Sequence, residues 1–185
     1  MQIRATCTED WETLKEIRLA ALKDAPTAFG VSYAMAAAYT DAQWRERATG
    51  PHPEFLLAFR DGVAAGMIGG GVSAATGEYN LIAMWVKPEY RGTDTAAQLV
   101  TAVKASATAR GHARIVLDVA PENARASVFY RKQGFTFLPE WEPLASHPEI
   151  QVQKMEWRQA QPQGRRSHEN RRRARSSCAG SDFGC

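Results

Sequence analysis

Leu81-Ile82-Ala83-Met84-Trp85-Val86, then Lys87-Pro88-Glu89-Tyr90-Arg91-Gly92-Thr93-Asp94-Thr95, then Ala96-Ala97-Gln98-Leu99-Val100-Thr101-Ala102-Val103-Lys104-Ala105 is the stretch that decides the fold. Its first part is a short apolar run, the signature of a strand buried on both faces. Pro88 stops it. Its last part is Ala-rich and sets Leu99, Val100, Val103 and Ala107 at helical spacing. The turn between carries Arg91 and Gly92. A turn at a helix start presents unpaired N–H groups and the positive end of the helix dipole, a seat suited to a phosphate. Downstream, Arg110-Gly111 stops the helix, and Ile115-Val116-Leu117-Asp118-Val119 reads as a second buried strand. Strand, helix and strand with short links predict a βαβ crossover with parallel strands. Ligands in such units sit past the carboxyl ends of the strands, where Arg91 and Ala120-Pro121-Glu122-Asn123 both fall.

The chain has 185 residues, enough for one domain with a real core. No apolar run approaches the ~20 residues that cross a bilayer. Met1-Gln2-Ile3-Arg4 enters a strand-like segment at once, so no signal peptide is expected. Cys7, Cys178 and Cys185 are an odd number without metal spacing and read as free thiols, which points to the cytoplasm. The net charge of +3 is uneven: residues 160–185 hold six arginines against Glu169 and Asp182, a local +4. The remainder is at −1, so the basic character belongs to the tail.

In chain order, Gln2–Thr6 reads as a strand and Thr8 as the cap of a helix over Glu9–Lys23, with Trp11, Leu14, Ile17, Arg18 and Leu22 along one stripe. A short helix is expected around Ser32–Ala38. Thr40 and Gln43 make a capping box for Asp41–Ala48. Asp61-Gly62, between Glu54–Arg60 and Val63–Val72, is a hairpin signal. Gly69-Gly70-Gly71 implies a bulge or a close backbone approach. Thr76-Gly77 turns into a strand over Glu78–Val86. Glu122–Lys132 reads as a helix closed by Gly134, and Phe135–Leu138 pairs with Gln151–Trp157 across a loop through Trp141-Glu142-Pro143. Residues 159–185 form a basic tail, and from 160 on, without periodicity, it reads as disordered. Its Arg171-Arg172-Arg173-Ala174-Arg175 suits a polyanion, but nucleic acid is not the expected partner.

Two motifs together resemble a known family. Val86-x-Pro88-x-x-Arg91-Gly92 before a helix is similar to the acetyl-CoA loop of the GNAT N-acetyltransferases. Asn123-x-x-Ala126-x-x-Phe129-Tyr130-x-x-x-Gly134-Phe135 is similar to that family's other recurring signature. The resemblance covers residues 1–158 and implies one α/β domain, a mixed, twisted central sheet flanked by helices. It implies acetyl-CoA as co-substrate and a primary amine of a small molecule or peptide as acceptor, acetylated by direct attack. By the same resemblance the loop Arg91, Gly92, Thr93, Asp94, Thr95 and Ala96 holds the pyrophosphate. The backbone of Met84, Trp85 and Val86 pairs with the pantetheine arm. Asp94 departs from the family pattern, which has glycine there, and its carboxylate is expected to weaken CoA binding by repulsion.

Asn123 and Tyr130 are seven apart, two helical turns, with Ala126 and Ser127 between them on the same side. Asn123 either caps its helix or bonds the pantetheine arm. Tyr130 matches the family's tyrosine, a general acid for the departing thiolate. Asn123, Ser127 and Tyr130 therefore join the cofactor-binding set. For the base, Glu78 is the first candidate and Asp118 the second. The first two helices and the last hairpin would supply the acceptor pocket, with Phe29, Tyr33, Trp44 and Trp141 as candidates. The histidines at 52, 112, 147 and 168 lack metal spacing, so no metal is implied. A homodimer stays open. Asp94 motivates an alternative reading, an acyl-CoA-binding regulatory or degenerate domain without turnover.

Overall fold

The computed structural model describes residues 1–50 and 53–160. In chain order its strands and helices are β1 (Gln2–Ala5), α1 (Trp11–Asp24), α2 (Tyr33–Ala37), α3 (Asp41–Thr49), β2 (Glu54–Arg60), β3 (Val63–Val72), β4 (Tyr79–Val86), α4 (Thr95–Ala109), β5 (Arg114–Val119), α5 (Ala124–Lys132), β6 (Thr136–Leu144) and β7 (His147–Arg158). The strands form one mixed sheet in the order β1-β2-β3-β4-β5-β7-β6. Its one parallel contact, β4 with β5, is the crossover that α4 spans.

Helices cover both faces. On one, Leu99, Val100 and Val103 of α4 and Tyr130 of α5 pack against Tyr79, Leu81, Ile115 and Leu117. On the other, Leu14 and Ile17 of α1 and Trp44 of α3 pack against Leu57, Met67, Ala83 and Trp85. Each large apolar side chain removed from water contributes roughly 1.5–3 kcal/mol, so the two clusters clamp the sheet from both sides.

Strand β4 crosses from one cluster to the other. Tyr79 and Leu81 face the α4 side, yet Ala83, of the same parity, faces α1 with Trp85. The cause is a bulge: Ala83 has φ +54°, and the pairing with β3 slips between Met67 and Gly69. An alanine in the left-handed region is uncommon and carries local strain. Ile82, expected inside a buried run, is 41% exposed as a result. The glycines opposite permit this path. A Cβ at Gly69 would lie 2.9 Å from Ile82 Cγ1, and one at Gly66 would lie 2.9 Å from the Trp85 carbonyl oxygen. The bulge expected at Gly69-Gly70-Gly71 reaches Gly69, whereas the close approach to backbone falls at Gly66, outside that run.

Local signals read as expected at several places. Asp61 (φ +50°) and Gly62 (φ +79°) make the β2–β3 turn, and Thr40 with Gln43 closes the capping box of α3. Asp10, not Thr8, organises the first helix start: it accepts from the Cys7 backbone at 2.9 Å and pairs with Arg4. The largest correction is at the end of the chain. Trp141-Glu142-Pro143 is not a loop but part of β6, opposite Gln153, Val152 and Gln151. Strand β6 lies at the sheet edge, where a proline can stand without breaking a ladder. The basic tail from 161 on lies outside the described residues, as do Cys178 and Cys185.

Gly66→Ala is expected to lose about 1–3 kcal/mol in denaturant unfolding, because the Trp85 backbone and Leu99 cannot both yield. Gly30→Ala, whose Cβ would meet only Ala145 at 3.8 Å, is expected to stay within about 0.5 kcal/mol of wild type.

Candidate active site

The turn before α4 is built by hydroxyls and one glycine. Gly92 takes φ +79°, a conformation that needs glycine. Thr93 Oγ1 donates to the Tyr90 carbonyl at 2.7 Å, and Thr95, fully buried, shares a 2.9 Å hydroxyl contact with Thr93. The backbone N–H groups of Gly92, Asp94, Ala96 and Ala97 meet no backbone acceptor among the described residues. They gather at the positive end of a fifteen-residue helix. That set of donors fits an anionic diphosphate.

Asp94 does not need glycine's freedom, since its φ of −75° and ψ of −3° are ordinary helical values. Its carboxylate is turned to Arg60 at the end of β2 and to the Gln98 amide, both of which bond it closely. Arg60 Nε also donates to Thr95 Oγ1 at 3.0 Å. The Asp94 charge is thus paired with a cation thirty-four residues away. Arg91 is engaged elsewhere. Its Nε donates to the Val86 carbonyl at 3.1 Å, and its Nη2 pairs with Asp24 at the end of α1. Asp24 also accepts from Trp85 Nε1 at 2.9 Å, and the Trp85 and Arg91 contacts together hold its carboxyl below the usual range. Arg91 therefore fastens the loop to α1.

Beyond the single β4–β5 pair Asn80–Val116, Met84, Trp85 and Val86 have no partner strand on the β5 side among the described residues. Their backbone groups on that side form an interior sheet edge, the feature an extended amide-bearing arm can pair with. Helix α5 follows β5. Asn123 caps it, accepting from Ala126 N at 3.1 Å. Ser127 is 7% exposed and its Oγ finds no partner among the described residues, an orphaned polar atom. It belongs to the wall of a groove of about 400 Å³ with Pro121, Ala124, Arg131, Phe137 and Gln153. Tyr130 lies between Phe129 and Phe135, at ring distances of 5.2 and 5.7 Å. Burial pushes its phenol pKa well up, so it keeps its proton at neutral pH. The donors of the loop, the open edge of β4 and the unpartnered Ser127 together fit a coenzyme A thioester.

The face of the sheet beside the bulge holds a second groove, about 340 Å³, lined by Glu78, Asn80, Ile82, Asp118, Glu142 and Lys154 among others. The Asn80–Val116 register places Ile82 level with Asp118, beside the point where the two strands part. Asp118 retains open surface, yet partial burial, then Glu142, push its carboxyl up to about 6. Glu78 lies lower in the groove and is fully engaged. Arg114 Nη1 donates to it at 2.5 Å and Lys154 Nζ at 3.0 Å. Arg114, then Lys154, hold the Glu78 carboxyl below its ordinary value. A carboxylate so paired is a poor proton acceptor, whereas Asp118, the second candidate base, has a raised proton affinity. Among the described residues no group of acidic, His or Cys side chains could hold a metal.

The proposed acceptor wall divides. Trp44 is 1% exposed and belongs to the core, while Trp141 stands 54% exposed on β6. Phe29 and Tyr33 lie on the α1–α2 side, and the Phe29 carbonyl accepts from Ser146 in the β6–β7 turn. The first helices and the last hairpin do meet. Arg60, Asp24 and Glu142 escaped the sequence reading, because each acts across dozens of residues and carries no local signal.

These features converge on one class. The acetyltransferase (GNAT) family model matches residues 11–135, and the chain belongs to that family. The fold is similar to that of a GNAT-family acetyltransferase from Streptococcus pneumoniae (TM-score 0.70, 19% identity, 86% of this chain and 99% of that one). It is similar to YncA of Salmonella typhimurium, solved with its cofactor acetyl-CoA (TM-score 0.69, 17% identity, 96% and 99%). It is also similar to the PaiA N-acetyltransferase of Thermoplasma acidophilum in complex with coenzyme A (TM-score 0.59, 21% identity, 85% and 98%). No curated protein matches the sequence. Among the described residues no helix is long and apolar enough to cross a membrane.

Arg60→Ala is expected to weaken CoA binding about fivefold by exposing the Asp94 charge, less at high salt. Asp94→Gly in the Arg60→Ala background should restore it. Calorimetric titration of the four proteins of this cycle measures the coupling.

Proposed function

We propose that this protein transfers the acetyl group of acetyl-CoA to a primary amine of a small molecule or peptide, by direct attack while both substrates are bound. The observation that carries the reading is the parting of β4 and β5 between a donor-rich helix start and a buried tyrosine, with Asp118 on the adjoining face. Bound acetyl-CoA would supply the acyl group as an activated thioester.

The chain's residues then have distinct tasks. The amides of Gly92, Asp94, Ala96 and Ala97 seat the diphosphate, and Met84–Val86 align the arm. Asp118 takes a proton from the acceptor ammonium, which frees its lone pair for attack on the acyl carbon. The carbon–sulfur bond breaks, and Tyr130 gives the departing sulfur its proton. A phenol held neutral by burial is ready as a donor. No cysteine lies in either motif, so no covalent acyl-enzyme is invoked. Positioning the amine beside the thioester supplies much of the acceleration.

The alternative is a domain that binds acyl-CoA without turnover, and Asp94 is its motive. Release of free CoA thiol with a panel of amines separates the two. Turnover with any amine supports transfer, and CoA binding without turnover supports the alternative.

Tyr130→Phe should lower kcat by about 10²-fold or more while leaving CoA affinity unchanged. In wild type, kcat/KM should rise with pH through about 6, because Asp118 works only when ionised. Asp118→Asn should abolish that limb. Asp118 has a raised pKa in the folded protein, so its ionisation opposes folding: its contribution is complete at low pH and fades as pH climbs to about 6. Asp118→Asn is therefore expected to keep or raise the melting temperature at pH 8. Unchanged turnover in Tyr130→Phe would remove it as the acid, and an unchanged profile in Asp118→Asn would remove it as the base.

A further inference from the structure

Arg18 is a part-buried cation that the proposed reaction does not use. It lies on α1, one residue after the core residue Ile17. Its guanidinium carbon stands 4.7 Å from the centre of the Phe29 ring. Its Nη1 is sealed from solvent and finds no hydrogen-bond partner among the described residues. Among the described residues Tyr39 is the one titratable neighbour that acts on it and no ion pair engages it, and burial lowers its pKa to about 10. The residue as a whole keeps a partly open surface.

Such a group is costly. An ionised side chain taken from water without a partner destabilises a fold, and a methionine would fill the space at less cost. A ring face beneath a guanidinium compensates only in part. The place is also informative. The Phe29 carbonyl accepts from Ser146, and Gly30 lies against Ala145, so Arg18 stands where α1 and its exit segment meet the β6–β7 turn. That junction is one wall of the proposed acceptor side, and Phe29 shares its apolar cluster with Ala83 at the bulge.

We propose that Arg18 receives a carboxylate of the acceptor, so that the amines acetylated here also carry a carboxylate group. This rests on the acetyl-transfer reading and narrows its substrate class. The planar fork of arginine matches a carboxylate by shape. A single guanidinium suits one negative charge better than a phosphate dianion. Asp118 and Glu142, on the groove beside the bulge, suit the other end of such a molecule, its ammonium.

The test compares the common L-amino acids with their carboxamides, which keep the amine and lose the negative charge. Each is titrated calorimetrically into the CoA-loaded full chain, and each is assayed for thiol release with acetyl-CoA. Wild type should bind at least one acid about tenfold to a hundredfold more tightly than its carboxamide. Arg18→Met should erase that preference without lowering the melting temperature, and Arg18→Lys should keep part of it. Equal binding of acids and carboxamides by wild type, or a preference that survives in Arg18→Met, would overturn the proposal. If Arg18→Met does not fold, wild type against Arg18→Lys carries the same comparison. Acid-selective binding without thiol release would leave Arg18 standing and sink acetyl transfer. Thiol release from acids and carboxamides alike would do the reverse.

Discussion

Strands β4 and β5 pair at Asn80 and Val116 and then separate. The proposed function depends on that separation. An unpaired backbone edge inside a sheet is costly unless something hydrogen-bonds to it. The chain maintains the gap by placing Ala83 in a left-handed conformation, by removing side chains at Gly66 and Gly69, and by packing Ala83 and Trp85 against α1 instead of α4. The same bulge turns Ile82 toward the groove that holds Asp118. One backbone irregularity thus opens the cleft and exposes the face where an acceptor would approach.

The electrostatics around the cleft are arranged by distant partners. Arg60 binds Asp94 and Thr95, and Asp24 binds Arg91 and Trp85. These two nodes fix the turn before α4 to β2 on one side and to α1 on the other. The loop is therefore held by charge pairs and hydroxyls where family members use glycines. On the opposite side, Arg114 and Lys154 occupy Glu78 and leave Asp118, crowded by Glu142, as the carboxylate with a raised proton affinity. Two acids in one groove acquire different roles from their neighbours alone.

Much of this was legible in the sequence where the determining interactions are local. Asp61-Gly62 encodes its turn, Thr40 and Gln43 encode a cap, and Leu99, Val100, Val103 and Ala107 encode a buried helix face. Arg91-Gly92 encodes the turn before α4, and Asn123 encodes the cap of α5. What escaped is non-local. Pro143 suggested a loop, and only the edge position of β6 makes it tolerable. Ala83 carries no propensity for its conformation, which tertiary packing imposes. The Arg60–Asp94 and Asp24–Arg91 pairs join residues thirty-four and sixty-seven apart, so the sequence around Asp94 shows its charge and not the cation that pairs with it.

The central claim is that the open edge of β4 and the amides before α4 are the coenzyme's seat. Amide hydrogen exchange of the full chain, with and without saturating acetyl-CoA, tests it directly. Slowed exchange confined to Met84–Val86, Gly92–Ala97 and the first turn of α5 is the predicted result. Exchange unchanged at those positions under saturating ligand, or slowed at some other surface instead, would contradict it.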